Sequence, residues 1–429
     1  MLLIFVDEVS KRLNYTLKVM FEARGIEFST TNDVLYFKNS EELKIVYSEI
    51  PFEEDYLTIS PADLLFEEDI KPQSVGKANW CDEEVLSFNG KPDVLASIFF
   101  VLSMYDEYTS ESEDKHGRFE VKESVLYRYE WLETLVVERW TLSFLKFIEE
   151  FYNTQIKCET IPFKIIPTFD IDNTYAYKLK SGWRRWLSQT KDYTLINKTR
   201  IKERKSVLKN TSKDPYDTFN YIIDISNRGF EVKVFWLLGD YALYDRNISH
   251  NNLEHQQLIK KMSDFVDVGL HPSYKSNEAP SQLNTEKLRL ENILEKEVDF
   301  SRQHFLKVKL PSTYLQLIKE GFKDDYTLGF ADHIGFRAGI SRPFKWFNLK
   351  ANLETTLTLH PFAYMDGTLC EYNNLTIDEA KNKVSILMKE IQKYGGGLIS
   401  IWHNETIGDY GKWKGWASVL EHTLDSNSA

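Results

Sequence analysis

The stretch Ile165-Ile166-Pro167-Thr168-Phe169-Asp170-Ile171-Asp172 decides how the chain is read. Phe163 to Phe169 is apolar enough to be a strand buried inside a sheet. Two aspartates follow at its C-terminal mouth, the edge where barrels and open α/β sheets place their chemistry. Residues i and i+2 of a strand share one face, so Asp170 and Asp172 point the same way. Two carboxylates that close do not both stay ionised unless a cation or a hydrogen-bond donor lies between them. The plainer reading, an Asp-x-Asp that caps the next turn, stands beside this one.

Around that stretch, strands and helices alternate from about residue 160. Strands are predicted over Phe163–Phe169, Glu231–Leu238, Phe265–Leu270, His304–Lys309, Thr327–Phe330, Thr355–Leu359 and Leu398–Trp402. Helical spacing lies between most of them, over Tyr216–Asn227, Glu254–Asp264, Asn284–Lys296, Ser312–Glu320 and Ile377–Tyr394. Thr376 with Glu379 has capping-box spacing. Alternation of this kind implies a parallel sheet, and about seven strands suffice to close a barrel. One segment breaks the rhythm. A basic insertion at about 174–215 carries Trp183-Arg184-Arg185-Trp186 and Lys202-Glu203-Arg204-Lys205. Such a surface suits contact with an anionic membrane or glycan. A solvated basic excursion is the preferred reading of it.

Residues 1–158 read as a smaller α/β domain. Leu2–Val6, Val34–Phe37 and Leu43–Val46 are predicted strands. Ser10–Arg24, Asp93–Tyr105 and Leu135–Phe151 have helical spacing. His116-Gly117-Arg118-Phe119 is read as a tie between helices in preference to an anion site. Residues 159–429 form the second domain.

Composition narrows the function classes. The chain has 429 residues, 42% hydrophobic, with net charge −12. That excludes general nucleic-acid affinity, which needs a basic footprint. Cys81, Cys158 and Cys370 are far apart and match no zinc-ribbon spacing, which points to a reducing compartment. The apolar start, Met1 to Val6, is too short for a signal peptide and reads as a strand. No apolar run reaches membrane-spanning length. A cytoplasmic protein is expected, with the basic insertion allowing peripheral contact at the inner membrane.

Other polar residues follow predicted strands in the second half. Val266-Asp267-Val268-Gly269-Leu270-His271 ends in a histidine, and Ser301-Arg302-Gln303-His304 holds an arginine and another. Arg337, His360, Asp366 and Trp402-His403 come later. Carboxylate plus imidazole with open positions suits a catalytic divalent metal, zinc above all.

Taken in order, Thr168-Phe169-Asp170-Ile171-Asp172, Gly269-Leu270-His271, Arg302 and Trp402-His403 resemble the polysaccharide deacetylases, the NodB-homology carbohydrate esterases, over about residues 160–425. The whole chain resembles a Bacteroidetes-type subgroup with an N-terminal domain of unknown function. The resemblance implies a distorted (β/α)7 barrel, a divalent metal, zinc above all, and removal of an N- or O-acetyl group from a sugar. It implies Asp170 as general base, Arg302 as the residue that orients it, and His403 as general acid. It makes Asp172 and His271 metal ligands. The family's second histidine, four residues after the first, is Lys275 here, which leaves His304 or His360 to complete the set. Tyr274, Arg337, Asp366 and Trp402 are the expected substrate contacts. The competing expectation is a barrel that has lost its metal and serves as a glycan-binding or scaffold module; Lys275 favours it.

Overall fold

The computed structural model describes residues 1–180 and 198–425. The Trp183-Arg184-Arg185-Trp186 stretch lies outside the described residues. Strands of the N-terminal unit are β1 (Leu2–Val6), β2 (Phe28–Thr31), β3 (Leu43–Tyr47) and β4 (Leu57–Ile59), a parallel sheet of order β2-β1-β3-β4. An antiparallel trio follows: β5 (Val75–Trp80), β6 (Glu83–Phe88) and β7 (Lys91–Pro92). All five residues of β1 are buried, as a central parallel strand requires.

Val34–Phe37 is not a strand. Asp33 accepts hydrogen bonds from the backbone N–H groups of Leu35 and Tyr36 and starts the helix Val34–Asn39. Only Phe37 of that helix is buried, so a local cap, not an apolar face, decides its form.

The second half contains β8 (Phe163–Ile171), β9 (Lys233–Trp236), β10 (Asp267–Leu270), β11 (Phe300–Ser301), β12 (Asp324–Asp325), β13 (Phe344–Asn348), β14 (Leu353–Leu359), β15 (Tyr364–Met365) and β16 (Gly396–His403). Their order is β13-β14-β12-β11-β10-β9-β8-β16-β15. Every pairing is parallel except β13 with β14. The edge strands β13 and β15 are not paired with each other among the described residues. The structure is a nine-stranded mixed sheet with parallel βα build; among the described residues its pairings do not show the ring closure of the expected distorted (β/α)7 barrel.

Two predicted strands are displaced. His304–Lys309 is a tight turn, with Phe305 and Leu306 at φ 61° and 52°. Thr327–Phe330 is irregular. The strands in those places are the two-residue β11 and β12, a few positions earlier. Two residues carry no period, so the apolar residues after them attract the assignment instead.

Parallel pairing brings the C-terminal ends of β8, β10, β11, β15 and β16 to one edge. Register fixes this closely: His403 lies opposite Asp170, and Leu270 opposite both Trp236 and Ser301. The two halves are packed together. Val137 N–H donates to the Gly339 carbonyl at 3.0 Å, and Phe336 N–H to that of Leu132 at 2.7 Å.

Candidate metal and acid–base site

A pocket with a cavity volume of about 200 Å³ lies at the C-terminal edge. Asp170, Asp172, His271, His304, Asp366 and His403 all line it. The sheet therefore gathers residues spread over more than 230 positions.

Asp172 is the centre of this group. Its Oδ1 lies 3.2 Å from His271 Nε2, and its Oδ2 lies 3.4 Å from His304 Nε2. These three side chains offer ligand atoms all within 4.8 Å of one another. The far ring nitrogens fix the tautomers. His271 Nδ1 lies 2.5 Å from the Arg302 carbonyl, which only accepts, so that nitrogen carries the hydrogen. His304 Nδ1 faces Asp245 Oδ1 at 2.9 Å. Both Nε2 atoms then aim at the same carboxylate, and Asp172 Oδ1, buried, has no hydrogen-bond partner.

Two imidazole lone pairs facing a carboxylate repel unless a proton or a cation lies between them. The protein on its own supplies the proton. Burial opposes a charge on His304, but Asp172 and Asp245 outweigh it and raise this histidine to about 9. Burial would likewise raise Asp172, yet the facing imidazoles hold it well below the usual carboxylate range. A divalent cation satisfies the same groups, and the donor set fits one. Two nitrogens and one carboxylate are the make-up of many catalytic zinc sites, and tetrahedral bonds of 2.0–2.1 Å put ligands about 3.4 Å apart.

Asp170 sits beside this cluster, its Oδ2 3.9 Å from His271 Nε2. Arg302 Nη1 donates to Asp170 Oδ1 at 2.8 Å and to Thr168 Oγ1 at 2.7 Å. Arg302 Nε donates to the Tyr326 carbonyl, and its guanidinium lies 4.4 Å from the centre of the Phe235 ring. The arginine is fully buried, so it has one orientation.

His403 closes the other side. Its Nε2 lies 3.8 Å from Asp172 Oδ2 and its Nδ1 2.9 Å from Asp366 Oδ1. Burial works against its protonation, but Asp366, Asp172 and Asp170 hold it well above an ordinary histidine. Asp366 also accepts from Thr406 Oγ1 at 2.5 Å and from the His403 backbone N–H at 2.7 Å.

Four expected substrate contacts need correction. Asp366 is fully buried and engaged by His403, Gly367 and Thr406, so it positions the histidine and has no free oxygen for a ligand. Trp402 has no exposed surface and does not wall the pocket. Tyr274 packs against Tyr244 at 4.5 Å and Phe305 at 5.4 Å, with Lys307 Nζ 4.1 Å from its ring centre. Arg337 is clamped by Glu107 with two contacts of 2.7 Å and lies outside this pocket.

The alternative ligand His360 stacks on Tyr326 at 4.1 Å and meets Asp324 at 2.7 Å, away from Asp172. Lys275 is exposed and does not line the pocket. Sequence reasoning missed Asp245, which holds the His304 ring and caps Tyr274 N–H at 2.8 Å. It also missed Glu405, Glu371 and Trp413 in the pocket lining. Arg118 lines the pocket too, from the other half of the chain. Its Nη1 donates to the Phe305 carbonyl at 2.8 Å, so the loop ties the two halves together.

Residues 2–153 match a family described as a family of unknown function, DUF7033. No curated protein matches the chain. Among solved structures, the chain is similar to a Mycobacterium smegmatis protein described as a polysaccharide deacetylase, with 13% identity and TM-score 0.41, covering 63% of this chain and 85% of that one. It is similar to PuuE allantoinase, with 9% identity and TM-score 0.38, covering 62% and 84%. It is also similar to the polysaccharide deacetylase Bc1974 from Bacillus cereus, with 12% identity and TM-score 0.31, covering 62% and 87%. At these identities and scores the likeness bears on neither activity nor substrate.

Proposed function

We propose that the chain is a metal-dependent hydrolase that removes an N- or O-linked acetyl group from a sugar or polysaccharide precursor. The observation that carries this is the convergence of Asp172, His271 and His304 around an unpartnered carboxylate oxygen, flanked by two further acid–base pairs. Asp172, His271 and His304 would hold the ion, with zinc the best match to the donor set. When bound, such an ion acidifies a water and polarises a carbonyl.

Asp170 takes the proton of the attacking water. Arg302 holds that carboxylate in place through the bond from its Nη1. His403 enters the cycle protonated and gives its proton to the departing nitrogen or oxygen. Asp366 keeps the ring charged and its Nε2 turned toward the pocket. The two proton carriers occupy paired positions on the adjacent strands β8 and β16, one to accept a proton and the other to donate one.

The non-catalytic alternative drew on Lys275, which is exposed and outside the lining, so nothing in the site favours it. The test is metal analysis of the purified protein together with acetate release from N-acetylglucosamine oligomers in added zinc. About one equivalent of metal is expected, with acetate release cut about 10²–10⁴-fold in Asp170→Asn. Protein that takes up no zinc and frees no acetate sinks the proposal.

A further inference from the structure

The third member of the metal cluster, His304, stands on a turn that its own residues do not favour. Phe305 and Leu306, directly after it, have φ of 61° and 52°. Non-glycine residues hold that left-handed backbone only where their surroundings fix it. Asp172 and His271 follow the strands β8 and β10 directly. His304 has no such support, since it lies beyond the two-residue β11. The sheet fixes the near side of its turn: Arg302 N–H donates to the Leu270 carbonyl at 3.0 Å and His304 N–H to that of Pro272 at 3.1 Å. The N-terminal unit fixes the far side. Arg118 Nη1 donates to the Phe305 carbonyl at 2.8 Å. The His116 ring lies 4.9 Å from the Phe305 ring and 5.9 Å from that of Tyr274.

The loop that makes these contacts is braced from within. Asp114 Oδ1 accepts from the backbone N–H groups of His116 and Arg118 at 2.8 and 3.0 Å. Its Oδ2 accepts from Arg118 Nε at 2.8 Å and Nη2 at 2.7 Å. Asp114 N–H donates in turn to the Arg118 carbonyl at 2.8 Å. Bound through Nε and Nη2, the planar guanidinium has a fixed direction left for Nη1, and that direction is the Phe305 carbonyl. Relaxation of Phe305 toward negative φ would turn the peptide that follows His304 and carry its ring off Asp172.

We infer that Arg118 of the N-terminal unit is a positioning residue for His304, acting through the Phe305 carbonyl, so that the three-ligand metal site is complete only when the two halves are docked. The inference rests on the metal-site reading above. It gives the N-terminal unit a part in that site: the loop 114–118 sets the metal affinity of a cluster whose ligands all lie in the other half.

The test is zinc affinity of the full chain, by competition with a chelating dye, together with proton NMR of the cobalt(II)-loaded protein. Each cobalt-bound histidine with a hydrogen on Nδ1 gives a strongly shifted, exchangeable N–H signal, so His271 and His304 should give one each. Arg118→Ala should weaken zinc binding tenfold or more and lose one of the two signals. Asp114→Asn, which keeps Arg118 but loosens its aim, should weaken binding threefold or more. Glu133→Gln breaks a different tie between the halves, the 2.8 Å bond from Lys383, and should stay within twofold of the parent with both signals. A fall in Glu133→Gln equal to that in Arg118→Ala would assign the effect to the boundary at large and overturn the inference. If the parent takes up zinc and Arg118→Ala keeps its affinity and both signals, the positioning role is wrong and the hydrolase reading stands. If the parent takes up no zinc, both fall together.

Discussion

Asp245 touches no candidate substrate position, yet it holds His304 in the orientation that points Nε2 at Asp172. A carboxylate behind a ligating histidine fixes its tautomer and strengthens it as a ligand. Asp245→Asn should therefore weaken zinc binding about 10–100-fold, and His304→Ala should abolish one-to-one binding, both read by competition with a chelating dye. Equal affinity in all three proteins would remove His304 from the site. The same residue sets a pH dependence. His304 lies at about 9 in the folded chain against an ordinary 6.5. Its charge therefore stabilises the metal-free fold fully below about pH 6.5 and is lost as pH rises through about 9. Zinc needs the ring neutral, so affinity should climb across that window with release of a proton. Thermal melts of metal-free protein and zinc titrations from pH 6 to 10 check both signs; a flat profile refutes the assignment. Asp170, Asp172, His271 and His403 were legible as candidates because each ends or directly follows an apolar run. Asp245 was not, because it lies in a loop with no period and its role exists only across 59 residues of sequence.

At the scale of elements, β8 and β16 were visible, as were the four-residue β9 and β10, and the two-residue strands β11 and β12 were not. Eight paired residues align β16 with β8, and so long a run of nearly continuous burial leaves an apolar trace in composition. β11 and β12 have two residues each, and their place depends on neighbours: Ser301 pairs with both Leu270 and Asp325. Substrate contacts failed for a related reason. Trp402 belongs to a buried strand, and an aromatic residue next to a histidine gives no sign of which face it takes. Close approach between short strands is testable. A Cβ at Gly269 would meet the Phe300 ring in β11. Gly269→Ala should cost about 1–3 kcal/mol, read by urea denaturation, and should lower activity by shifting His271 against Arg302. A neutral result would mean Phe300 rotates freely, against its contacts with Phe235 and Tyr326.

For the whole molecule, the boundary between halves is electrostatic as well as apolar. Glu138 is buried between Arg24, at 2.6 Å, and Arg342, at 2.7 Å. Arg24 and Glu138 belong to the N-terminal unit and Arg342 to the second half. Removing the carboxylate leaves two guanidinium groups uncompensated in a buried place. Glu138→Ala should thus cost about 3–5 kcal/mol, measured by denaturation, whereas breaking an exposed ion pair such as Lys260–Glu295 should leave the midpoint nearly unchanged. A loss under 1 kcal/mol would show that water reaches the triad. Among the described residues, no helix is long and apolar enough to cross a membrane.

Glu107 and Glu138 leave the ribosome about two hundred residues before Arg337 and Arg342, their partners. Until those arginines are synthesised, the N-terminal unit carries two acidic groups set to be enclosed by chain that does not yet exist. Its last docking step must therefore wait for translation to reach Arg342, and either half made alone would hold one side of each pair without its partner.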